Sequence, residues 1–166
     1  MRADGPDGTS GRPGDGRELV VGYAAGAFDL FHIGHLNLLR NARSLCDRLI
    51  AGVVSDELME TRKGKSPVVP FAERLEIVSS IRYVDEAVAE TTVSRTETWE
   101  RHPFNVFFKG DDWAGTRAGA RLEEEFSPLG VRIVYLPYTL TTSSTVLRAA
   151  LDVLVGGRAG LDRASG

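Results

Sequence analysis

Five short apolar runs separated by stretches with helical spacing constrain this chain more than any other feature. The runs are residues 19–25 (LVVGYAA), 49–54 (LIAGVV), 84–89 (VDEAVA), 105–109 (NVFFK) and 131–136 (VRIVYL). Their length and their β-branched and aromatic content read as buried strands. Residues 35–45 place Leu36, Leu39 and Ala42 at helical spacing. Residues 70–81 put Phe71, Leu75, Val78 and Ile81 on one face behind Pro70, which suits a first helical position. Residues 116–126 read as a further helix. Residues 143–154 read as the last, with Val146, Leu147, Ala150, Leu151 and Leu154 apolar. Ser55 is placed to cap a short helical turn, and Ser94 with Glu97 spells a capping box for a helix through Trp99.

This alternation implies an α/β fold: a Rossmann-like three-layer sandwich with a five-stranded parallel sheet and helices on both faces. Ligands of such sheets sit beyond the carboxyl ends of the strands, where the strand order reverses. The chemistry is therefore expected in loops 26–34, 55–70, 90–95, 110–116 and 137–144.

The 166 residues suit one domain, expected over 18–155. Residues 1–17, rich in Gly, Asp and Pro, read as a disordered arm, and residues 156–166 as a flexible tail. A single cysteine, Cys46, fits a reducing, cytoplasmic setting. No apolar run approaches the ~20 residues that span a bilayer, so no membrane insertion is expected. The net charge of −3 argues against nucleic acid as a partner.

Two of the 3 histidines lie together, in Gly26-Ala-Phe-Asp-Leu-Phe-His32-Ile-Gly34-His35. They bracket a glycine where a helix begins, and a helix start attracts phosphate through its free N–H groups and its dipole. Two imidazoles there can donate hydrogen bonds to phosphoryl oxygens, and Gly34 would let a phosphate approach the backbone. The same pair also reads as capping or packing histidines, or as two ligands of a zinc site whose third ligand is not evident. Lys63 and Lys65 fall in the polar stretch TRKGKSP, where alternate residues of an extended loop face one way. They read as phosphate-neutralising residues or as a solvated basic loop. The GKS inside that stretch is not a P-loop: Met59 stands where the first glycine is needed, and Pro67 follows where a helix should start.

The segment GAFDLFHIGH resembles the HxGH signature of the nucleotidyltransferase superfamily. Its members transfer a nucleotidyl group from CTP or ATP to a phosphate and release pyrophosphate. The stretches RLIAGVVSDEL (48–58), IRYVDE (81–86) and KGDDW (109–113), with Lys63 and Lys65 as a Lys-x-Lys pair, are similar to the cytidylyltransferase family. The nearest likeness is to glycerol-3-phosphate cytidylyltransferase. Where that family ends in RTEGISTT, this chain has Tyr138-Thr-Leu-Thr-Thr-Ser-Ser-Thr145, and Ser143 to Arg148 also resembles the SSTxxR of adenylyltransferases.

The resemblance implies transfer of CMP from CTP to an alcohol phosphate, glycerol 3-phosphate first, giving a CDP-alcohol and pyrophosphate. Transfer from ATP, another phosphorylated alcohol or phosphonate as acceptor, and a regulatory nucleotide-binding protein stay open. The implied catalytic residues are His32, His35, Lys63 and Lys65. Nucleotide contacts are implied at Ala27, Phe28, Asp29, Gly34, Gly110, Asp112, Tyr138, Thr142, Ser143, Ser144, Thr145 and Arg148. Lys63, Arg74 and Arg95 are implied at the acceptor. Arg74 also reads as structural, Ser143 or Ser144 as a helix cap, Trp113 as packing, and Asp29 as a group orienting a histidine. The resemblance further implies Mg2+ carried by the nucleotide, no metal held by the protein alone, and a homodimer with Arg82 and Asp85 near its interface. Trp99, His102 and Cys46 read as structural.

Overall fold

The computed structural model describes residues 17–137, 139 and 141–161. Strands and helices follow in the order β1 (Val21–Gly26), α1 (Ile33–Arg43), β2 (Arg48–Val54), α2 (Asp56–Lys63), α3 (Phe71–Ser79), β3 (Glu86–Glu90), α4 (Arg95–Arg101), β4 (Val106–Gly110), α5 (Arg117–Phe126), β5 (Arg132–Leu136) and α6 (Ser144–Leu161). All strand pairs are parallel, in the order β3-β2-β1-β4-β5. The expected five-stranded Rossmann-like sandwich is the fold of the chain.

Alternation along the strands fills two core layers. Ala24, Leu49, Ala51, Val53 and Phe108 face one side, where Leu39 and Ala42 of α1 and Val78 of α3 pack. Tyr23, Ile50, Val88 and Phe107 face the other, against Leu122 and Phe126 of α5, with Trp99 of α4 packed alongside. Neighbouring residues therefore go to opposite layers, as expected of strands buried on both faces. Trp99 donates its indole N–H to the Phe104 carbonyl at 2.8 Å, and Cys46 is buried in the first layer.

The structure changes the local picture in several places. Residues 56–63 form a helix rather than part of a polar loop: Ser55 accepts from the Leu58 N–H, and Gly64 ends the helix at φ 62°, a conformation that costs glycine little. Ser94 does cap α4, but Glu97 does not complete a box. Its carboxylate accepts instead from the Thr92 hydroxyl, whose oxygen accepts from the Ser94 N–H. Asp85 pairs with Arg43 at 3.2 Å and accepts from the Leu49 N–H, while Arg82 stacks on Tyr83. α6 continues past Val155 to Leu161. The expected arm, save Arg17, lies outside the described residues. No helix among those described is long and apolar enough to cross a membrane.

Candidate active site

The chain runs from β1 outward to β3, then returns to place β4 on the other side of β1. The crevice of the sheet opens where the strand order reverses, beyond Gly26 and Gly110. Three cavities of about 270, 360 and 630 Å³ adjoin there, and Gly26, Lys63, Lys109 and Trp113 line all of them.

His32 and His35 stand at the start of α1, their rings stacked 3.9 Å apart. His32 is the N-cap, and its Nδ1 accepts from the Gly34 N–H at 3.0 Å. The His32 N–H in turn reaches Nδ1 of His35 at 3.4 Å. The pair therefore caps the helix reciprocally. Because each Nδ1 is an acceptor, the neutral tautomer of each ring carries its proton on Nε2. The capping reading and the ligand-binding reading describe different nitrogens of the same rings. Both residues line the cavity of about 360 Å³, together with Ser143, Ser144 and Thr145.

Gly34 has a nearer reason than the approach of a phosphate. A Cβ there would lie 2.8 Å from Cε1 and 2.9 Å from Nδ1 of His32. Any side chain would push the His32 ring off the helix start. Its N–H is also engaged by His32, so that donor of the helix start is already used.

Both imidazoles are held neutral. Burial lowers the pKa of His32, and burial together with the nearby His32 lowers His35 to about 3, against a smaller opposing pull from Asp29. Phe28 and Phe31 flank the His35 ring at 5.4 Å each.

Asp29 does not touch either histidine. It is 3% exposed, between Phe28 and Leu30, which both adopt left-handed φ values of 51° and 49°. Such a conformation costs a non-glycine residue about 1–2 kcal/mol. The kink turns the carboxylate inward, where it accepts from the Val68 and Val69 N–H groups and from Arg148 at 2.7 Å. Burial alone would raise its pKa, but those three donors hold it below the usual carboxylate value. Arg148 also donates to the Ser66 carbonyl, and Ser144 donates to the Asp29 carbonyl at 2.6 Å. Asp29 is thus a clamp joining its own loop, residues 68–69 and helix α6, and the guanidinium of Arg148 is engaged in that clamp at the cavity wall. Ser143 caps α6, accepting from the Val146 N–H at 3.3 Å.

Arg74 corrects the expectation of a substrate contact. It is 0% exposed, and its guanidinium donates to the carbonyls of Ala27, Val54 and Val69 and to Asp56. It ties the ends of β1 and β2 to α3 and presents nothing to the crevice.

Lys63 is the last residue of α2 and borders all three cavities, whereas Lys65 borders the one flanked by α6 and Arg148. The two lysines are split by the helix end rather than carried on one extended loop. Arg95 lies across the crevice and pairs with Glu125 at 2.6 Å. Ala27, Phe28, Gly110 and Asp112 all line cavity walls. The Thr142 carbonyl lies over Gly34, 3.5 Å from where a Cβ would be. Tyr138 lies outside the described residues.

Three residues missed by sequence reasoning line the crevice: Lys109, Glu90 and Thr139. Lys109 projects between the cavities with Nζ 4.1 Å from the centre of the Trp113 ring, so Trp113 is a lining residue and not packing alone. Glu90, at the end of β3, accepts from the Tyr23 hydroxyl at 3.2 Å and from Arg62 at 3.4 Å. Thr139 lines the histidine cavity and accepts from Asn37 at 3.0 Å. Only Lys109 had a sequence signal, its place beside the GDDW segment. Among the described residues no group of three or more His, Cys, Asp or Glu side chains converges to hold a metal ion.

Comparison with known proteins places these features in context. The family model described as Cytidylyltransferase-like matches residues 23–150. Glycerol-3-phosphate cytidylyltransferase of Bacillus subtilis is 34% identical over 136 residues, which is 78% of this chain and 93% of that enzyme. Ethanolamine-phosphate cytidylyltransferase of Arabidopsis thaliana is 40% identical over 101 residues, which is 58% of this chain and 24% of that enzyme. The chain thus spans about a quarter of the plant enzyme. A solved structure described as the lipopolysaccharide core biosynthesis protein of Thermoplasma volcanium superposes with a TM-score of 0.65 at 25% identity, covering 74% of this chain and 99% of that one.

Proposed function

The chain belongs to the cytidylyltransferase-like family, and from that premise we propose that it transfers CMP from CTP to a small phosphorylated alcohol, with glycerol 3-phosphate as the first candidate. The observation that carries the reading is the pair of neutral imidazoles whose Nδ1 atoms are spent on the helix cap. Their Nε2–H groups are left as fixed donors in the crevice.

In the proposed reaction an oxygen of the acceptor phosphate attacks the α-phosphorus of CTP. The bond from the α-phosphorus to the α,β-bridging oxygen breaks, and pyrophosphate leaves with that electron pair. Such transfers need positioning and charge stabilisation, with no protein nucleophile. The two Nε2–H donors would hold the α- and β-phosphate oxygens and strengthen as charge grows there. Lys65 and the α6 start at Ser143, Ser144 and Thr145 would hold the departing pyrophosphate. Lys63, which borders all three cavities of the crevice, would bridge the triphosphate and the acceptor phosphate. Magnesium would enter with the triphosphate, held by phosphate and water. Asp29, the carboxylate of the histidine loop, is already occupied by its own donors. A homodimer in the cytoplasm completes the proposal.

Glycerol 3-phosphate comes first because the enzyme named for it is matched over nearly its whole length, the plant ethanolamine-phosphate enzyme over a quarter. The SSTxxR pattern at Ser143 to Arg148 favours ATP as the second reading. Pyrophosphate release across CTP, ATP, GTP and UTP, each with glycerol 3-phosphate, ethanolamine phosphate and choline phosphate, tests the proposal. Release with CTP and glycerol 3-phosphate is expected. Release with ATP alone would overturn the cytidylyl assignment.

A further inference from the structure

The cavity lined by Glu90 at the end of β3 and by Phe107 and Lys109 of β4 is lopsided in charge. Arg62, Lys63, Arg95 and Lys109 line it, against the single carboxylate of Glu90. That carboxylate is 5% exposed and both its oxygens are engaged, one by the Tyr23 hydroxyl and one by Arg62. Arg95 forms an ion pair with Glu125 at 2.6 Å. Among the described residues neither Lys63 nor Lys109 has an ion-pair partner.

The aromatic wall has the same character. A cationic headgroup is held by an indole face or a free carboxylate. The Trp113 face is already covered by the protein's own ammonium, Nζ of Lys109 at 4.1 Å. Phe107, the other aromatic residue lining this cavity, is buried against Phe104 and Phe126 in the second core layer.

We propose that Lys109 is the residue that sets acceptor specificity. Its ammonium occupies the place on Trp113 that a cationic headgroup would need, so the acceptor class is the phosphate ester of a neutral, hydroxylated alcohol. Phosphates of amino-alcohols are disfavoured by like charge in a cavity whose single carboxylate, Glu90, is already engaged. This rests on reading the crevice as a nucleotidyl-transfer site. Burial, then the nearby Arg95, lower the Lys109 pKa to about 8, while Glu90 and Asp112 oppose the shift. The ammonium form therefore predominates at neutral pH.

The test compares kcat/KM at pH 7 with CTP for glycerol 3-phosphate and for choline phosphate, whose charge does not titrate. The wild-type chain should favour glycerol 3-phosphate by about 100-fold, the scale of a like-charge mismatch in a specific site. Lys109→Met should reduce that ratio by about tenfold or more, and Lys109→Arg should preserve it. Equal use of choline phosphate by the wild-type chain would overturn the proposal without any variant having to fold. So would a folded, active Lys109→Met chain with an unchanged ratio. Absence of pyrophosphate release from CTP with every acceptor would overturn the nucleotidyl-transfer reading instead, and it shows in the wild-type chain alone.

Discussion

Nη2 of Arg148 donates to Oδ2 of Asp29 at 2.7 Å, across 119 residues of sequence. The pair locks the start of α6 onto the histidine loop and onto residues 66–69, so these walls of the crevice are held by one buried carboxylate. Asp29→Asn should lower the unfolding free energy by about 1–3 kcal/mol, the cost of losing a charged acceptor among buried donors. The folded carboxyl sits below its unfolded value of about 3.9. Its contribution is therefore complete above about pH 5 and is lost as the pH falls through the folded pKa. Urea unfolding followed against pH should show that acid loss in the wild-type chain and a flatter profile in Asp29→Asn.

His35 gives a second pH signature of the same sign. Its folded pKa near 3 lies well below the unfolded value of about 6.5. Between those values the unfolded chain binds the extra proton, so stability is full above about pH 6.5 and falls on acidification. The slope in that window is on the order of 1 kcal/mol per pH unit. His35→Gln should flatten the melting temperature over pH 4–6.5, measured by thermal denaturation.

Arg74 should behave as a structural residue. Arg74→Lys leaves the carbonyls of Ala27, Val54 and Val69 short of donors around a side chain that is 0% exposed. A loss of about 3–5 kcal/mol of stability is expected by chemical denaturation. The KM for the acceptor should hold in whatever fraction remains folded at low temperature.

The two lysines should separate kinetically. Lys63→Met should lower kcat by about 100-fold, because Lys63 borders all three cavities of the crevice where the transfer is proposed. Lys65→Met should act mainly by raising the KM for the triphosphate. Steady-state kinetics with each substrate varied in turn distinguish the two patterns.

The sheet and most helices were legible because each strand run keeps its β-branched core and each helix its apolar stripe. α2 was not. Its buried residues, Leu58 and Met59, are adjacent and make no stripe, so only its cap, Ser55, announced it. The histidines were legible as a site because their spacing matches one turn of helix. The division of labour between Nδ1 and Nε2 needed the cap geometry. Arg74 could not be resolved from sequence, since three of its partners are backbone carbonyls, one of them 47 residues away. Lys109 and Glu90 looked like polar strand ends, and only the folding of β3 and β4 around the crevice turns them into cavity walls.

The central claim is that the Nε2–H groups of His32 and His35 stabilise the transferring phosphates. Its most direct test is the kcat for pyrophosphate release from CTP and glycerol 3-phosphate by His32→Ala and His35→Ala, each checked for a native circular dichroism spectrum. A fall of about 10²–10³-fold in each folded variant is the predicted result. Near-normal turnover in either one would contradict it.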